Sequence, residues 1–385
     1  MKPFAKAPSE VPRSGIREIM HLAAQVPDAI HLEVGQPDFP TPDHIIDATC
    51  KYAREGHTSY VANAGVPELR ASVARYFERK TGVPTTPDHI LVTTGAVMSC
   101  ATAFIALLDP GDEVLLPDPG WPNYNIAVTV VHGKPVLYRL RPDNAFLPDL
   151  HELDQLVTER TKLIVICTPS NPTGQVYSES LMRDLVAWAR RHDVYLLSDE
   201  IYGEIVFDHD HASALPHDTD ERTLIVTGMS KGYAMTGYRV GFTRARPEYI
   251  ELATKLQEPF VSCGTGFSQR ASAVGLDGPQ ERVQGMRDAY KERRDVALEV
   301  LRERGLYRYT PGGAFYLLID ISSTGMDSRD FALELLETKK VAVAPGNTFG
   351  DVAADHIRIS FASPVEDIRT GLQRICAMIE EKSKV

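Results

Sequence analysis

The sequence predicts an α/β fold, with a large domain built on a mostly parallel sheet sandwiched by helices and a smaller α/β domain beside it. Three observations predict it. Short, continuously apolar, β-branched runs such as KLIVIC (162–167) and TLIVTG (223–228) recur along the chain, and strands buried on both faces read this way. Helical patterns such as that of 179–192 lie between the runs, as a parallel sheet with helices on both faces requires. The length of 385 residues suits two or three units of ordinary domain size.

The elements follow in order. Residues 1–45 are rich in proline and read as an irregular arm that joins the smaller domain. HILVTT (89–94) reads as a strand, and a helix is expected over about 96–108. EVLLP (113–117) is a second strand, with a short helical stretch after Trp121. PVLYRL (135–140), KLIVIC, VYLLS (194–198), TLIVTG and YRVGFT (238–243) complete the sheet of a large domain over 46–280. From about 281 the character changes. A long charged helix runs to Gly305, a natural C-terminal cap, and places Val283, Met286, Tyr290, Ala297 and Leu301 at helical spacing. FYLLIDI (315–321), a helix near 329–339, VAVAP (341–345), HIRISFA (356–362) and a final helix make the smaller domain, 281–385.

Composition excludes several classes of function. The net charge of −11 argues against a nucleic-acid surface, which needs clustered lysine and arginine. No run approaches the roughly 18 uninterrupted apolar residues of a membrane span, and the N-terminus lacks the apolar core of a signal peptide. The 5 cysteines form no C-x-x-C pair, which disfavours a disulfide framework or zinc site and suits a reducing cytoplasm.

Four segments carry candidate chemistry, each at the carboxyl end of an expected strand, where open parallel sheets bind ligands. SDEIY (198–202) sets Asp199 there. GMSKGYAMTGYRVG (228–241) holds Lys231 among Met229, Tyr233, Met235 and Tyr238, surroundings that lower an amine pKa and make it a nucleophile toward carbonyls. Arg239, eight residues on, is a permanently charged donor suited to phosphate. TTGAVMS (93–99) turns from strand to helix and offers free backbone N–H groups to an anion. PSNPTG (169–174) fixes an unusual turn around Asn171, with X-Pro bonds that are candidates for the cis form. Taken singly, each segment also has a plain reading as a solvated or capping loop.

Other features read as ordinary. FDHDHASALPHD (207–218) contains His209, His211 and His217, but its spacing fits no closed zinc pattern, so a solvated loop is expected. Gly264 and Gly266 begin a dinucleotide-like motif, but position 269 is Gln and no strand–turn–helix unit surrounds it. Cys100 and Cys263 read as packing residues, and Trp188 as core or interface.

In their joint order, VGQPDFPTP (34–42), GAV (95–97), Trp121, SNPTG, SDEIY, SK-x(7)-R and HIRIS, these segments resemble the class I/II aminotransferases of pyridoxal-phosphate (PLP) fold type I. The resemblance implies PLP bound to Lys231 as a Schiff base, with Lys231 later moving the proton. It implies Asp199 at the protonated pyridine nitrogen, Asn171 and Tyr202 at the ring's phenolic oxygen, and Trp121 stacked on the ring. The phosphate would take Gly95, Ala96, Val97, Ser230 and Arg239, with Tyr60 (in SYVANAGVPELR) reaching across from a second subunit of a homodimer. Gly35, Asn171 and Arg358 would hold the substrate α-carboxylate. Two positions depart from the pattern: Gly228 stands where many relatives place Ser or Thr, and Ala96 where Gly or Ser is common.

The implied activity is transfer of an amino group between an L-amino acid and a 2-oxo acid by a ping-pong mechanism. The alternatives are another PLP reaction on the same fold, such as a carbon–sulfur β-lyase or a synthase, and a non-enzymatic ligand-sensing regulator. Expected partners are amino acid and 2-oxo acid, with no nucleic acid, membrane or metal. Ile16 and Tyr124 are the candidates for side-chain specificity.

Overall fold

The computed structural model describes residues 2, 4–9, 11 and 15–383. The apolar runs assemble into a 7-stranded sheet. Its spatial order is Ile90–Thr93, Gly241–Arg244, Thr223–Gly228, Tyr195–Asp199, Thr161–Cys167, Glu113–Asp118 and Lys134–Arg139. All run the same way except Gly241–Arg244, which pairs antiparallel with both neighbours. Its interior strands are buried along nearly their whole length, because helices such as Ala96–Leu107, Glu179–Arg191 and Pro247–Val261 cover the faces. Lys134–Arg139, at one edge, is mostly exposed or half-buried and carries Lys134 and Arg139 at its ends, which discourages further pairing.

A 3-stranded antiparallel sheet forms from Ala344–Pro345, His356–Ser360 and Tyr316–Asp320. Helix Glu281–Glu303 ends two residues before Gly305, whose φ of 70° is left-handed, and it buries all five of the apolar positions named above. Helix Ser328–Lys339 packs on this sheet, and Val365–Lys382 packs on helix Glu281–Glu303.

Three expectations need correction. YRVGFT does not begin a strand at 238: Thr236–Tyr238 is a 3₁₀ turn, and Arg239 takes a left-handed φ of 55°. Those residues reverse the chain so that the next strand can run antiparallel, which returns Arg239 to the edge where Lys231 lies. Among the described residues, the first 45 are not irregular throughout. Gly15–Ala23 and Asp43–Arg54 are helices, and Ile30–His31 pairs in parallel with Val341–Ala342. Ile16, Ile19, Met20 and Ala23 already showed the spacing of a helical face. VAVAP is not one strand either: Val341–Ala342 joins residues 30–31, while Ala344–Pro345 joins the three-stranded sheet.

Candidate active site

The turns after five strands of the large sheet meet the three-stranded sheet and helix Gly15–Ala23 around a cavity of about 410 Å³. Gly35, Ala96, Val97, Trp121, Asn171, Asp199, Tyr202, Ser230, Lys231, Arg239 and Arg358 all line it. Gly95 lies just behind the wall, as the N-cap of helix Ala96–Leu107. Tyr60 is 90% exposed and is not brought to this cavity.

Asp199 ends its strand and is buried. One carboxylate oxygen accepts the Tyr124 hydroxyl at 2.5 Å and the other accepts the Ile201 N–H at 3.1 Å. Burial raises its pKa to about 6 against the pull of those two bonds. Tyr124 was read as a candidate for side-chain specificity, but its hydroxyl is committed to Asp199 and its ring meets Trp121 edge-on at 5.2 Å. The signal was available: Trp121 and Tyr124 are three residues apart on the first turn of a helix that begins with Pro122.

Lys231, three residues beyond its strand, donates from Nζ to the Gly35 carbonyl at 2.6 Å. Burial, then the nearby Arg358 and Arg239 charges, lower its pKa to about 8. Met229, Tyr233 and Met235 are buried but do not line this cavity, and Tyr238 is half-buried; the rings nearest the amine are instead Tyr202 and Phe315, at 5.8 and 6.0 Å.

Arg239 donates from Nη1 to the Thr236 carbonyl and from Nη2 to the Thr94 carbonyl. A Cβ at Gly95, whose φ is 87°, would come within 2.4 Å of Arg239 Nη2, so only glycine lets the guanidinium lie on this helix N-terminus. The departure at Gly228 has a similar steric cause. Gly228 pairs with Gly241, and a Cβ on Gly228 would meet the Gly241 Cα and the Val240 carbonyl oxygen at 2.8 Å. A serine cannot enter there without parting two strands, and Ser230 lines the cavity instead.

In PSNPTG both Thr168–Pro169 and Asn171–Pro172 are cis. The turn sends Asn171 across to the small sheet, where its Oδ1 accepts from Arg358 Nη1 at 3.0 Å. Arg358 sits in the middle of strand His356–Ser360 and is 1% exposed. Its Nη2 donates to the Glu33 carbonyl, and its plane lies between the rings of Tyr316 (4.4 Å) and Phe349 (4.8 Å). Its Nε has no partner, and among the described residues no carboxylate lies within ion-pair distance. Burial lowers its pKa. A buried, stacked guanidinium without a paired acid is a preformed receptor for a planar carboxylate.

Tyr316 also lines the cavity and was not anticipated from the sequence. The loop after SDEIY is anchored rather than free: Glu200 accepts from Ser198, Ser213 and the Ala214 N–H, and His211 bonds its other oxygen at 2.9 Å. Trp188 is wholly buried and donates to Asp154. Cys100 is buried, while Cys263 is half-buried.

Strand-end turns that converge on one buried amine, one buried acid and one buried arginine make a candidate active site of the kind found at the open edge of α/β enzymes. Known proteins narrow the class. The profile of the family described as aminotransferase class I and II matches residues 27–375. The aspartate aminotransferase of Pyrococcus horikoshii is 36% identical over 373 residues, 96% of this chain and 95% of its own length. The aspartate/prephenate aminotransferase of Thermus thermophilus is 36% identical over 363 residues, 94% and 93% of the two chains. The solved structure of Thermus thermophilus aspartate aminotransferase with maleate superposes with a TM-score of 0.94 at 35% identity, over 98% of this chain and 100% of that one. The chain belongs to the class I and II aminotransferases. It is an aminotransferase, with the ping-pong exchange of amino groups general to that family.

Proposed function

We propose that the cavity holds pyridoxal phosphate on Lys231 and the α-carboxylate of an amino acid or 2-oxo acid on Arg358. The observation that carries this reading is the Lys231 amine, its pKa lowered to about 8 chiefly by burial, lining one cavity with the buried Asp199 and Arg358, neither of which is in an ion pair among the described residues. The residues fit the cofactor. The N-terminus of helix Ala96–Leu107, Ser230 and Arg239 would hold the phosphate, and Asp199 would keep a proton on the ring nitrogen. Trp121 would lie on the ring face. Asn171 and Tyr202 would reach its phenolic oxygen. Bound there, the cofactor supplies an electron sink for the bond broken at the substrate α-carbon.

The chain's own residues do the rest. The low pKa leaves a large neutral fraction of Lys231 near pH 8, able to attack a carbonyl and later to take the α-proton on Nζ. Arg358 fixes the carboxylate through two parallel bonds, and fixing it orients the α-carbon toward Lys231. Gly35 would supply a backbone contact to the same carboxylate.

The 90% exposure of Tyr60 supports a homodimer in which that residue serves the phosphate of a second copy. The separation of the seven-stranded sheet from the three-stranded one, and the pairing of Ile30–His31 with Val341–Ala342, support a cofactor-bearing domain over 46–280 and a smaller one from 281–385 with residues 1–45. The unpaired thiols support a reducing, cytoplasmic setting. Among the described residues, no helix is long and apolar enough to cross a membrane.

Borohydride reduction of the loaded protein, followed by peptide mass spectrometry, is expected to fix a pyridoxyl group on Lys231; a label elsewhere, or none, overturns the assignment. A panel of amino donors with 2-oxoglutarate or pyruvate should then yield stoichiometric 2-oxo acid. Ammonia and pyruvate from the donor would instead indicate elimination.

A further inference from the structure

Tyr316 is a buried polar group in the cavity wall to which no role has yet been given. It opens strand Tyr316–Asp320 and faces Ser360 across the ladder, with Arg358 diagonal to it on the same face. That register explains why the Arg358 guanidinium lies 4.4 Å from its ring centre. The Tyr316 ring also meets Tyr202 edge-on at 5.5 Å, and the two hydroxyls share one hydrogen bond of 2.8 Å. Both phenols are buried, at 1% and 4% exposure.

Two hydroxyls carry two protons, and one bond between them uses one. If Tyr202 donates, its proton is spent on Tyr316. If Tyr316 donates, Tyr202 keeps its own for the cavity. The surroundings decide between them. The Arg358 cation against the Tyr316 ring favours withdrawal of electrons from that phenol and makes it the better donor. Burial raises the pKa of both phenols, but at Tyr316 the next influence is Arg358, which lowers it, whereas at Tyr202 it is Tyr316, which raises it further.

The glycine at 35 fits the same arrangement. A Cβ there would stand 2.3 Å from the Tyr316 hydroxyl oxygen, so a side chain at 35 would push the hydroxyl out of its bond.

We propose that Tyr316 is a positioning residue: its hydroxyl donates to Tyr202, so that Tyr202 can donate to an acceptor in the cavity, the phenolic oxygen of the cofactor. This rests on the proposed binding of pyridoxal phosphate to Lys231. A donor at that oxygen stabilises negative charge on it, favours the deprotonated chromophore and lowers the midpoint at which the visible absorption titrates.

The test is the pH titration of visible absorption in the loaded protein, for wild type, Tyr202→Phe, Tyr316→Phe and the double variant. Tyr202→Phe should raise the midpoint. Tyr316→Phe should raise it by a smaller amount, about threefold in proton affinity, the low end for one neutral hydrogen bond. The double variant should match Tyr202→Phe alone, because Tyr316 acts through Tyr202. An unchanged midpoint in Tyr316→Phe, or shifts that add in the double variant, overturns the proposal. If Tyr316→Phe does not fold, Gly35→Ala displaces the same hydroxyl and should raise the midpoint, and an unmoved midpoint there counts equally against it. Borohydride labelling of wild type separates the two failures: no pyridoxyl on Lys231 overturns both readings, whereas labelled Lys231 with an unmoved midpoint overturns only the role of Tyr316.

Discussion

Asp199 and Arg358 are buried charges of opposite sign at two ends of one cavity, and the fold delivers them differently. Asp199 comes on the carboxyl end of a parallel strand, pinned by a hydroxyl and a backbone N–H. Arg358 comes from the middle of an antiparallel strand, pinned by an amide oxygen, a backbone carbonyl and two aromatic faces. Both are held by neutral partners. Burial without a counter-ion is costly, and the cost falls when ligand supplies the opposite charge. On the proposed binding, the two ends would sort the ligand: a cation beside Asp199 and a carboxylate beside Arg358, with Lys231 in the same cavity.

The widest separation should come from Asp199→Asn. A nearby carboxylate raises the pKa of a cation by roughly 1–3 units, so losing it should lower kcat by about tenfold to a thousandfold with a smaller loss of cofactor affinity. If cofactor affinity fell more than kcat, Asp199 would be a tether and the contrast between the ends would vanish. Arg358→Lys keeps the charge and loses the fork. It should raise KM for the amino acid by well over tenfold, up to roughly a hundredfold, with less change in kcat. An unaltered KM would remove Arg358 from carboxylate binding.

The same contrast governs what could be read in the sequence. Residues delivered by strand-end turns were legible, because a run such as KLIVIC or TLIVTG announces where its turn begins. Lys231, Asp199, Asn171 and the helix N-terminus at Gly95 accordingly meet around one cavity. Arg358 lies inside an ordinary-looking strand, HIRIS, and only resemblance singled it out. Tyr316 was missed because Tyr at the start of an apolar strand reads as core, and its meaning depends on register with residues 358 and 360. The strand at 238–243 was misplaced because apolar content does not reveal strand direction, and the reversal consumed residues 236–240. The cause of Gly228 was hidden as well, since it is the backbone of Gly241, brought opposite by pairing.

A smaller effect sharpens the Asp199 end. Tyr124→Phe removes a donor that holds the carboxyl pKa down against burial. Asp199 loses its charge as pH falls through about 6 in the cofactor-free chain, and without Tyr124 that fall should begin higher. The Asp199 titration of the cofactor-free protein, followed by carboxyl infrared absorption, should move up by about one unit, with kcat of the loaded protein at pH 8 nearly retained. An unmoved titration would mean that the Tyr124 bond is incidental.

The subtlest effect lies between the two ends, at Lys231. Its amine titrates near 8 in the folded chain and near 10.4 in the unfolded one. Below pH 8 both states hold the proton, and folding carries the whole cost of enclosing a cation beside Arg358 and Arg239. Between these values the folded chain has released the proton while the unfolded chain retains it, so stability rises with pH, by at most about 1.4 kcal/mol per unit. Above both values the contribution is flat. Denaturant midpoints of the cofactor-free protein should therefore climb between pH 8 and 10 relative to Lys231→Ala. Loaded protein should lack the excess slope, because the amine no longer titrates as a free base. Parallel curves for cofactor-free wild type and Lys231→Ala would mean that the amine is solvated like a surface lysine, and that neither charged end of the cavity acts on it.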